Sequence, residues 1–334
     1  MSTSVGTVVL TGANGSLGIA YVKSLLISFP NYTAILTVRD DSESDPNTQN
    51  LRQLIAKHPK AFIYKLDLAS LSAVTQFSAD ISSRVTSGEL PPISAIVCNA
   101  FAWSLNTGLK FSADGYELSF QVCYLSHFAL VLRLLGSMDI GNGRVVLLAS
   151  DTHDPERKNA LESYPVKFPD DLAQLVKPSP DKKGEEVGRG FQRYGLSKLC
   201  CVMFMYQLNS HLAQESELKN ITVTAMDPGG IPDSRCMDGE SVPTSWRLLM
   251  RLVLGPLQPI LKHALPTLRS STDAGVDLVE FSIGPKFAGK RGFYLMLNSD
   301  KSSKESYDEE KQKTVWNKSL EWASVGPGDT VLKI

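Results

Sequence analysis

The residues with the clearest potential for chemistry are a tyrosine and a lysine four positions apart, Tyr194 and Lys198. On a helix this spacing puts both side chains on one face, with Cβ atoms about 5–6 Å apart. A free tyrosine has a pKa near ~10, so proton exchange near neutral pH needs that pKa lowered by roughly three units, or about 4 kcal/mol. An ammonium about 4 Å away supplies an interaction of about that size. The pair is a candidate acid–base device, although the same spacing also occurs on ordinary solvated helices.

The start of the chain carries a pattern that can bind phosphate. A short apolar run at residues 7–10 leads into Thr-Gly-Ala-Asn-Gly-Ser-Leu-Gly, and a helical pattern follows. Backbone N–H groups at a helix start bind phosphate, and glycines let the ligand approach the backbone. The alternative is a tight strand-to-helix connection without a ligand. The position at the first such junction favours a nucleotide site. Its candidate residues are Gly12, Asn14, Gly15, Ser16, Leu17 and Gly18.

Two further candidates follow the second and third predicted strands. An NAD site usually presents a carboxylate after the second strand, whereas this chain has Arg39. An arginine there can bind a 2′-phosphate, which favours NADPH over NADH, unless it simply pairs with Asp40 and Asp41. After the third strand, Asp67 and Leu68 can contact the adenine. The alternative role for Asp67 is to cap the helix that begins near residue 71.

Asn99 and Ser150 follow the fourth and fifth predicted strands. An asparagine at a strand end can hydrogen-bond the backbone and shape the floor under a cofactor. A serine there can donate to a substrate carbonyl oxygen, or it can be a simple cap. The presence of Tyr194 further along the chain favours the catalytic interpretation of Ser150.

Strand and helix patterns alternate through the first 150 residues, which predicts a parallel sheet with helices on both faces. Strands are predicted at 7–10, 34–38, 61–64, 93–97, 144–149, 221–225 and 292–297. Helices are predicted at 49–57, 71–85, 116–135, 192–212, 272–282 and 307–323. We expect one domain over residues 1–334, with a dinucleotide-binding half at 5–150, a long active-site insertion at 151–193, and the catalytic helix, substrate lid and tail at 194–334.

Composition excludes several classes of function. The 334 residues carry a formal net charge of −1, with 43% hydrophobic and 21% charged residues. The sequence has no basic stripe, so nothing in it indicates a nucleic-acid partner. The cysteines are five in number, lie mostly in apolar runs, and lack zinc spacing, so we expect reduced thiols in the cytoplasm and no metal site.

The most membrane-like stretch is residues 246–261, which charges and prolines interrupt and which is too short to span a bilayer. We interpret it as an amphipathic helix over a substrate pocket. Peripheral membrane contact is left open.

These motifs, in this order, resemble the short-chain dehydrogenase/reductase family. The set comprises the glycine turn, Leu66-Asp67-Leu68, Asn99-Ala100, Ser150, Tyr194-x-x-x-Lys198 and Asp227-Pro228-Gly229, and it spans residues 5 to 235. The sequences around Ser150 and Tyr194, and the tail with Trp316, are most similar to the branch of retinol dehydrogenases and protochlorophyllide reductases. The segment 225–232 resembles reductases of fungal natural-product pathways.

The resemblance implies a Rossmann fold and hydride transfer between a nicotinamide and a carbonyl or alcohol. Ser150 would polarise the carbonyl and Tyr194 would donate the proton. Lys198 would bind the nicotinamide ribose and lower the Tyr194 pKa. Pro228, Gly229 and Ile231 would border the nicotinamide. The cofactor would be NADP(H).

Two residues depart from the family pattern. Ser16 stands where the family has the second glycine of its turn, and Cys123 stands where it usually has an asparagine that supports a proton relay to the lysine. A thiol is a poor substitute in such a relay. The relay could run through Ser126, redox turnover could be slow, or the fold could serve another reaction.

We therefore expect an NADPH-dependent ketoreductase or alcohol dehydrogenase acting on a fairly large apolar molecule of polyketide or terpenoid type. The insertion and the 246–261 helix would wall the pocket. One alternative is a non-redox acid–base enzyme, such as a dehydratase, isomerase or cyclase. Another is a catalytically silent NADPH-binding protein. A homodimer through the 116–135 and 192–212 helices is expected from the resemblance, unless the tail covers that face.

Overall fold

One eight-stranded sheet organises the molecule, in the order β3-β2-β1-β4-β5-β6-β7-β8. The first seven strands run parallel and the last is antiparallel to its neighbour. The computed structural model describes residues 4–157, 163–254, 256–257, 265 and 267–334. The strands are β1 (Thr7–Leu10), β2 (Thr33–Val38), β3 (Ala61–Lys65), β4 (Ile93–Cys98), β5 (Arg144–Leu148), β6 (Thr222–Asp227), β7 (Gly292–Leu295) and β8 (Asn298–Ser299). This is the doubly wound Rossmann order, so the predicted fold class is confirmed.

The helices agree with the predicted pattern to within a few residues at most ends. The catalytic helix is the exception, because it starts six residues earlier than predicted. The helices are α1 (Ser16–Ser28), α2 (Pro46–Ile55), α3 (Leu71–Thr86), α4 (Leu118–Phe120), α5 (Ser126–Leu134), α6 (Ala173–Val176), α7 (Glu186–Gln214), α8 (Thr244–Leu249), α9 (Ser271–Ser282) and α10 (Glu309–Trp322).

Helices cover both faces of the sheet, because its central strands are apolar on both sides. On one face α1 packs against α9, where the Tyr21 hydroxyl and the Ser282 hydroxyl lie 2.8 Å apart in the core. Contact between these helices is close, since a Cβ on Gly275 would lie 2.6 Å from the Ala20 Cβ. The other face packs against α3, α5 and α7. The carboxyl ends of the parallel strands therefore meet at one edge, where ligands of such sheets bind.

A single turn of π-helix, Gln121–Leu125, joins α4 to α5. Together the segment Leu118–Ser137 is long and apolar enough to cross a membrane, but 89% of its apolar window is buried inside the protein. That burial is typical of a core helix. A π-turn often marks a functional site, and Cys123 lies in this one.

The predicted 246–261 helix is only partly within the described residues. α8 continues as a π-helix over Met250–Leu254, and residues 258–261 lie outside the described part of the chain. Apolar side chains on this segment, such as Leu248 and Leu252, are exposed.

The C-terminal helix α10 covers the face on which the family resemblance predicted a dimer. Trp316 is buried in α10, with its ring centre 5.1 Å from that of Phe128 in α5, and it stacks on His211 of α7 at 4.5 Å. The Tyr124 hydroxyl also lies 2.8 Å from the Ser319 hydroxyl. A dimer through α5 and α7 would first have to displace α10.

We expect Trp316→Ala to lower the free energy of unfolding by about 3–5 kcal/mol, because it empties the contact between α10, α5 and α7. Urea denaturation measures the change. Trp246→Ala, at a half-exposed tryptophan outside this contact, is the control and should cost clearly less. Equal losses in the two variants would show that α10 adds little to the core.

Candidate active site

The glycine turn joins β1 to α1 and leaves the start of that helix open to an anion. Gly12 has a φ of +65°, and a Cβ there would lie 2.9 Å from the Ala100 Cα, so only glycine fits. Gly15 is the N-cap of α1; no side chain of the described residues caps this end, and its first turn contains no acidic residue. The N–H groups and dipole of α1 therefore suit the diphosphate of a dinucleotide.

Two candidate residues of the turn are already engaged by other segments. The Asn14 amide donates to the Thr48 hydroxyl at 2.9 Å and to the Asp45 carboxylate at 3.2 Å, which ties the turn to the start of α2. The Ser16 hydroxyl accepts from the backbone N–H of Arg235 at 3.0 Å. Gly15, Leu17 and Gly18 lie at the start of α1 as expected.

The adenosine end of the predicted site lies at the ends of β2 and β3. Arg39 is exposed and forms no ion pair with any carboxylate of the described residues. The Asp40 carboxylate accepts from the Ser42 N–H at 2.9 Å, and the Asp41 carboxylate lies 3.9 Å from the Lys65 ammonium. The interpretation of Arg39 as a partner of these two aspartates is therefore wrong.

Asp67 is not the cap of α3. Ser70 takes that position and accepts from the Ala73 N–H, whereas the Asp67 carboxylate accepts from the Ala69 N–H at 2.9 Å. The Leu68 carbonyl accepts from the Ser126 hydroxyl at 2.6 Å. Contact of Asp67 and Leu68 with adenine stays a prediction. The proposed relay through Ser126 does not match this geometry, because the Ser126 hydroxyl donates to the Leu68 carbonyl.

A buried network joins the glycine turn to the end of β4. The Asn99 amide donates to the carbonyls of Thr11 (2.8 Å) and Gly12 (3.2 Å). The Thr11 hydroxyl oxygen accepts from the N–H groups of Asn99 (2.9 Å) and Ala100 (3.0 Å). The expectation that Asn99 hydrogen-bonds the backbone under the cofactor site thus matches the structure.

His127 extends this network to the catalytic helices. Its Nδ1 lies 3.1 Å from the Cys123 carbonyl and its Nε2 lies 2.9 Å from the Thr11 hydroxyl. Burial lowers the pKa of His127 to about 4, so the ring is neutral. The carbonyl can only accept, so Nδ1 donates to it and Nε2 accepts from Thr11. His127 is therefore a packed structural histidine.

The three predicted catalytic residues lie just after β5 and on α7. Ser150 follows β5, and its hydroxyl donates to the Asp151 carboxylate at 3.2 Å and accepts from the Thr152 N–H at 3.4 Å. Tyr194 is half-buried on α7, beside Ser150. The Lys198 ammonium donates to the Leu148 carbonyl at 2.6 Å and lies 5.5 Å from the centre of the Tyr194 ring. The structure thus brings Ser150, Tyr194 and Lys198 together.

Burial, not Lys198, dominates the acidity of Tyr194. Desolvation raises the pKa of Tyr194 well above its usual value, with smaller contributions from Cys123, Cys236 and Asp227, and the Ser150 hydroxyl opposes them. The Lys198 ammonium lies over the Tyr194 ring and donates to the Leu148 carbonyl. The expected lowering of the Tyr194 pKa by Lys198 is therefore not seen. The protein alone therefore keeps Tyr194 protonated, which is the form that donates a proton during carbonyl reduction.

A second carboxyl group lies at the end of β6. The Asp227 carboxylate accepts from the Gly229 N–H at 2.8 Å, and burial together with Asp151 raises the pKa of Asp227 to about 6. Gly229 has a φ of +82°, and a Cβ there would lie 2.4 Å from the Thr267 carbonyl oxygen. Pro228, Gly229 and Ile231 follow directly, next to the end of β5. Their contact with nicotinamide stays a prediction.

Cys123 is used to hold the loop after β4. Its thiol donates to the Ala102 carbonyl at 3.3 Å, and its own carbonyl accepts from the Cys201 thiol at 3.3 Å as well as from His127. The neutral and weakly polar thiol takes the place of the family's relay asparagine without reproducing its hydrogen-bonding capacity.

His153 is a structural residue, not a substrate contact. Its Nδ1 donates to the Ser150 carbonyl at 2.6 Å, and its Nε2 accepts from the Ser303 N–H at 3.1 Å. It therefore ties the segment after β5 to the C-terminal part of the chain.

Three aromatic side chains lie around the Tyr194 ring. The ring centres of Trp103, Phe101 and Phe191 lie 5.4, 6.2 and 6.3 Å from that of Tyr194. Trp103 follows β4 by five residues, with no motif to mark it.

The insertion is attached to the start of the catalytic helix by an ion pair. Arg193 of α7 donates to both carboxylate oxygens of Asp181 at 2.6 and 3.0 Å.

Comparison with known proteins decides the family. The chain is 34% identical over 366 aligned positions to the short-chain dehydrogenase iccH of Talaromyces variabilis, with 98% of each chain covered. The protein belongs to the short-chain dehydrogenase/reductase family. It is an oxidoreductase with a nicotinamide cofactor, as the resemblance implied. Residues 237–332 also match the family model of the AcuH dehydrogenase domain.

Other relatives of this short-chain dehydrogenase/reductase agree with the predicted branch. The chain is 28% identical to protochlorophyllide reductase A of rice, with 93% of this chain and 79% of the relative covered. Among solved structures, the NADPH-bound carbonyl reductase from chicken fatty liver has a TM-score of 0.58 at 16% identity, covering 90% of this chain and 95% of that one. The latter similarity concerns the fold alone.

The Thr11 hydroxyl is the centre of the buried network. We expect Thr11→Val to lower the free energy of unfolding by about 2–4 kcal/mol, because two N–H groups and the His127 ring lose a hydrogen-bond partner. Thermal or urea denaturation measures the loss.

Thr224→Val is the matched control. Thr224 is buried in β6, and its hydroxyl has no hydrogen-bond partner within the described residues. We expect it to be neutral or slightly stabilising. Equal effects of the two valines would mean that the Thr11 network adds nothing to stability.

Proposed function

We propose that this enzyme is an NADPH-dependent reductase of a fairly large apolar ketone in secondary metabolism. The observation that carries the proposal is the placement of Ser150, Tyr194 and Lys198 at the carboxyl ends of the strands, on the edge of the sheet where the glycine turn lies. The pathway assignment is supported by the fungal relatives, such as the short chain dehydrogenase macD of Penicillium terrestre, which is 29% identical over 94% of this chain.

The chain's own residues supply binding and proton transfer. NADPH, when bound, supplies the hydride. The glycine turn and the start of α1 would hold the diphosphate, and Lys198 the nicotinamide ribose. Tyr194, kept protonated by burial, gives its proton to the substrate oxygen as negative charge develops there. The Ser150 hydroxyl turns from Asp151 to donate a second hydrogen bond to that oxygen.

The apolar substrate class is supported by the side chains around Tyr194. Trp103, Phe101 and Phe191 present ring faces and edges, and the buried Val242 and Leu105 pack next to Phe191 and Trp103. A wall of this kind suits rings and alkyl chains better than sugars or amino acids.

The preference for NADPH rests on Arg39, whose guanidinium is exposed and not paired with a carboxylate of the described residues. We expect Arg39→Ala to weaken NADPH binding about tenfold or more and to leave NADH binding nearly unchanged, because only NADPH carries the 2′-phosphate. Fluorescence titration with both nucleotides measures this.

Lys65→Ala removes an equal charge from the neighbouring strand end, where the ammonium lies near Asp41. It is the control and should change the NADPH-to-NADH affinity ratio little. An unchanged ratio in Arg39→Ala would contradict the assignment of Arg39 to the 2′-phosphate.

The reductase mechanism predicts that Tyr194→Phe lowers kcat for apolar ketones by about 100-fold or more, with NADPH affinity kept, because only the proton donor is lost. Consumption of NADPH at its absorbance maximum measures turnover. Tyr164→Phe is the control, since that ring stacks under Arg189 at 4.0 Å, outside the catalytic group. Full turnover by Tyr194→Phe would exclude Tyr194 as the acid.

The second candidate is a non-redox acid–base enzyme on the same scaffold, which one observation favours: the Cys123 thiol is bound to Ala102 and cannot replace the relay asparagine. Such an enzyme would convert its substrate without consuming NADPH. The turnover assay distinguishes the two, because product formation without NADPH consumption supports only the second.

A further inference from the structure

We infer that Arg235 is a cationic clamp on the diphosphate of the cofactor, reaching the glycine turn from the loop after β6. The inference rests on the proposed function, because it names a further residue of the same cofactor site. Arg235 is 219 residues from Ser16 in the sequence, and nothing in the glycine turn itself predicts it.

Three contacts place Arg235 against the glycine turn. Its backbone N–H donates to the Ser16 hydroxyl at 3.0 Å, its Nε approaches the same hydroxyl at 3.4 Å, and its Nη2 donates to the Asn14 carbonyl. Ser16 is the first residue of α1. The guanidinium therefore lies at the uncapped helix start that suits a diphosphate.

The charge of Arg235 is left for a ligand. No carboxylate of the described residues forms an ion pair with it. The nearest acid along the chain, Asp233, accepts from the Ser271 N–H at 3.0 Å and the Ser271 hydroxyl at 2.8 Å, at the start of α9. An arginine has five N–H donors in a planar fork, so the contacts to Asn14 and Ser16 leave donors for phosphate oxygens.

This clamp offers a physical reason why Ser16 can stand in the place of a glycine. A serine hydroxyl at the start of α1 gives Arg235 an oxygen to bind, which a glycine could not do. The arginine then adds a full positive charge to the partial charge of the helix start. The substitution at position 16 and the arginine at position 235 act together.

Arg235 also connects the cofactor site to the segment that borders the substrate. Its neighbour Cys236 lies close enough to Tyr194 to influence the pKa of that tyrosine, and the Ser241 carbonyl accepts from the Asn106 N–H at 2.6 Å. Val242 packs with Leu105 and Phe191. A bound diphosphate would therefore fix this segment over the aromatic wall.

The test compares nucleotide affinities of purified full-length variants by fluorescence titration or calorimetry, with NADPH, NADH and ADP-ribose as probes. We expect Arg235→Ala to weaken all three by about tenfold to a hundredfold, because all three carry the diphosphate. Arg235→Lys should recover part of the loss, since it restores the charge without the fork. Arg247→Ala, at the α8 arginine that donates to the Thr244 hydroxyl at 3.0 Å, is the control and should bind normally.

The outcomes separate this inference from the proposed function. If the wild type binds none of the three probes, the proposed function fails and the clamp with it. If the wild type binds and Arg235→Ala binds equally well, only the clamp is overturned. A loss confined to NADPH would also overturn it, because Arg235 would then contact the 2′-phosphate. Melting curves of the variants confirm that each is folded, which is expected because Arg235 is exposed.

Discussion

The hydroxyl of Thr11 is the point on which the arrangement of the site depends. Thr11 directly follows β1 and begins the glycine turn. Its hydroxyl accepts from two N–H groups at the end of β4 and donates to the ring of His127. His127 in turn holds the carbonyl of Cys123 in the π-turn. A hydrogen-bonded chain of buried groups therefore runs from the glycine turn to the helices beside Tyr194. Buried polar groups cost free energy when they are unpaired. The network therefore holds the glycine turn and the catalytic helix in fixed positions relative to each other.

Burial favours the neutral forms of the titratable groups along this network. It keeps His127 neutral, so that the ring can accept from Thr11 and donate to Cys123. It also keeps Tyr194 and, below a pH of about 6, Asp227 protonated. The residues at the cofactor end are instead charged and exposed. Arg39 and Arg235 are cations without a carboxylate partner in the described part of the chain. The site thus combines a neutral reaction centre with positive charge where phosphates would bind.

Much of this could be predicted from the sequence, because Gly12, Asn99 and Ser150 follow the ends of short apolar strands, and the spacing of Tyr194 and Lys198 marks a helix. Parallel strands then bring those ends together. The residues that the sequence analysis missed are far in the sequence from the site residues that they contact. Arg235 and Trp103 belong to no local pattern, and the covering of α5 by Trp316 depends on tertiary packing. The sequence could not decide whether Asp67 caps α3, because an aspartate and a serine three positions apart are both good caps, and the structure assigns that position to Ser70.

The central claim is that hydride passes from NADPH to an apolar ketone at Tyr194. The most direct measurement uses NADPH with deuterium at both C4 positions of the nicotinamide, a panel of apolar polycyclic and long-chain ketones, and mass spectrometry of the products. We expect the wild type to form an alcohol with one deuterium on the carbinol carbon, and Tyr194→Phe to form it about 100-fold more slowly. A product formed without deuterium, in the presence or absence of NADPH, would exclude hydride transfer from NADPH and identify a non-redox enzyme.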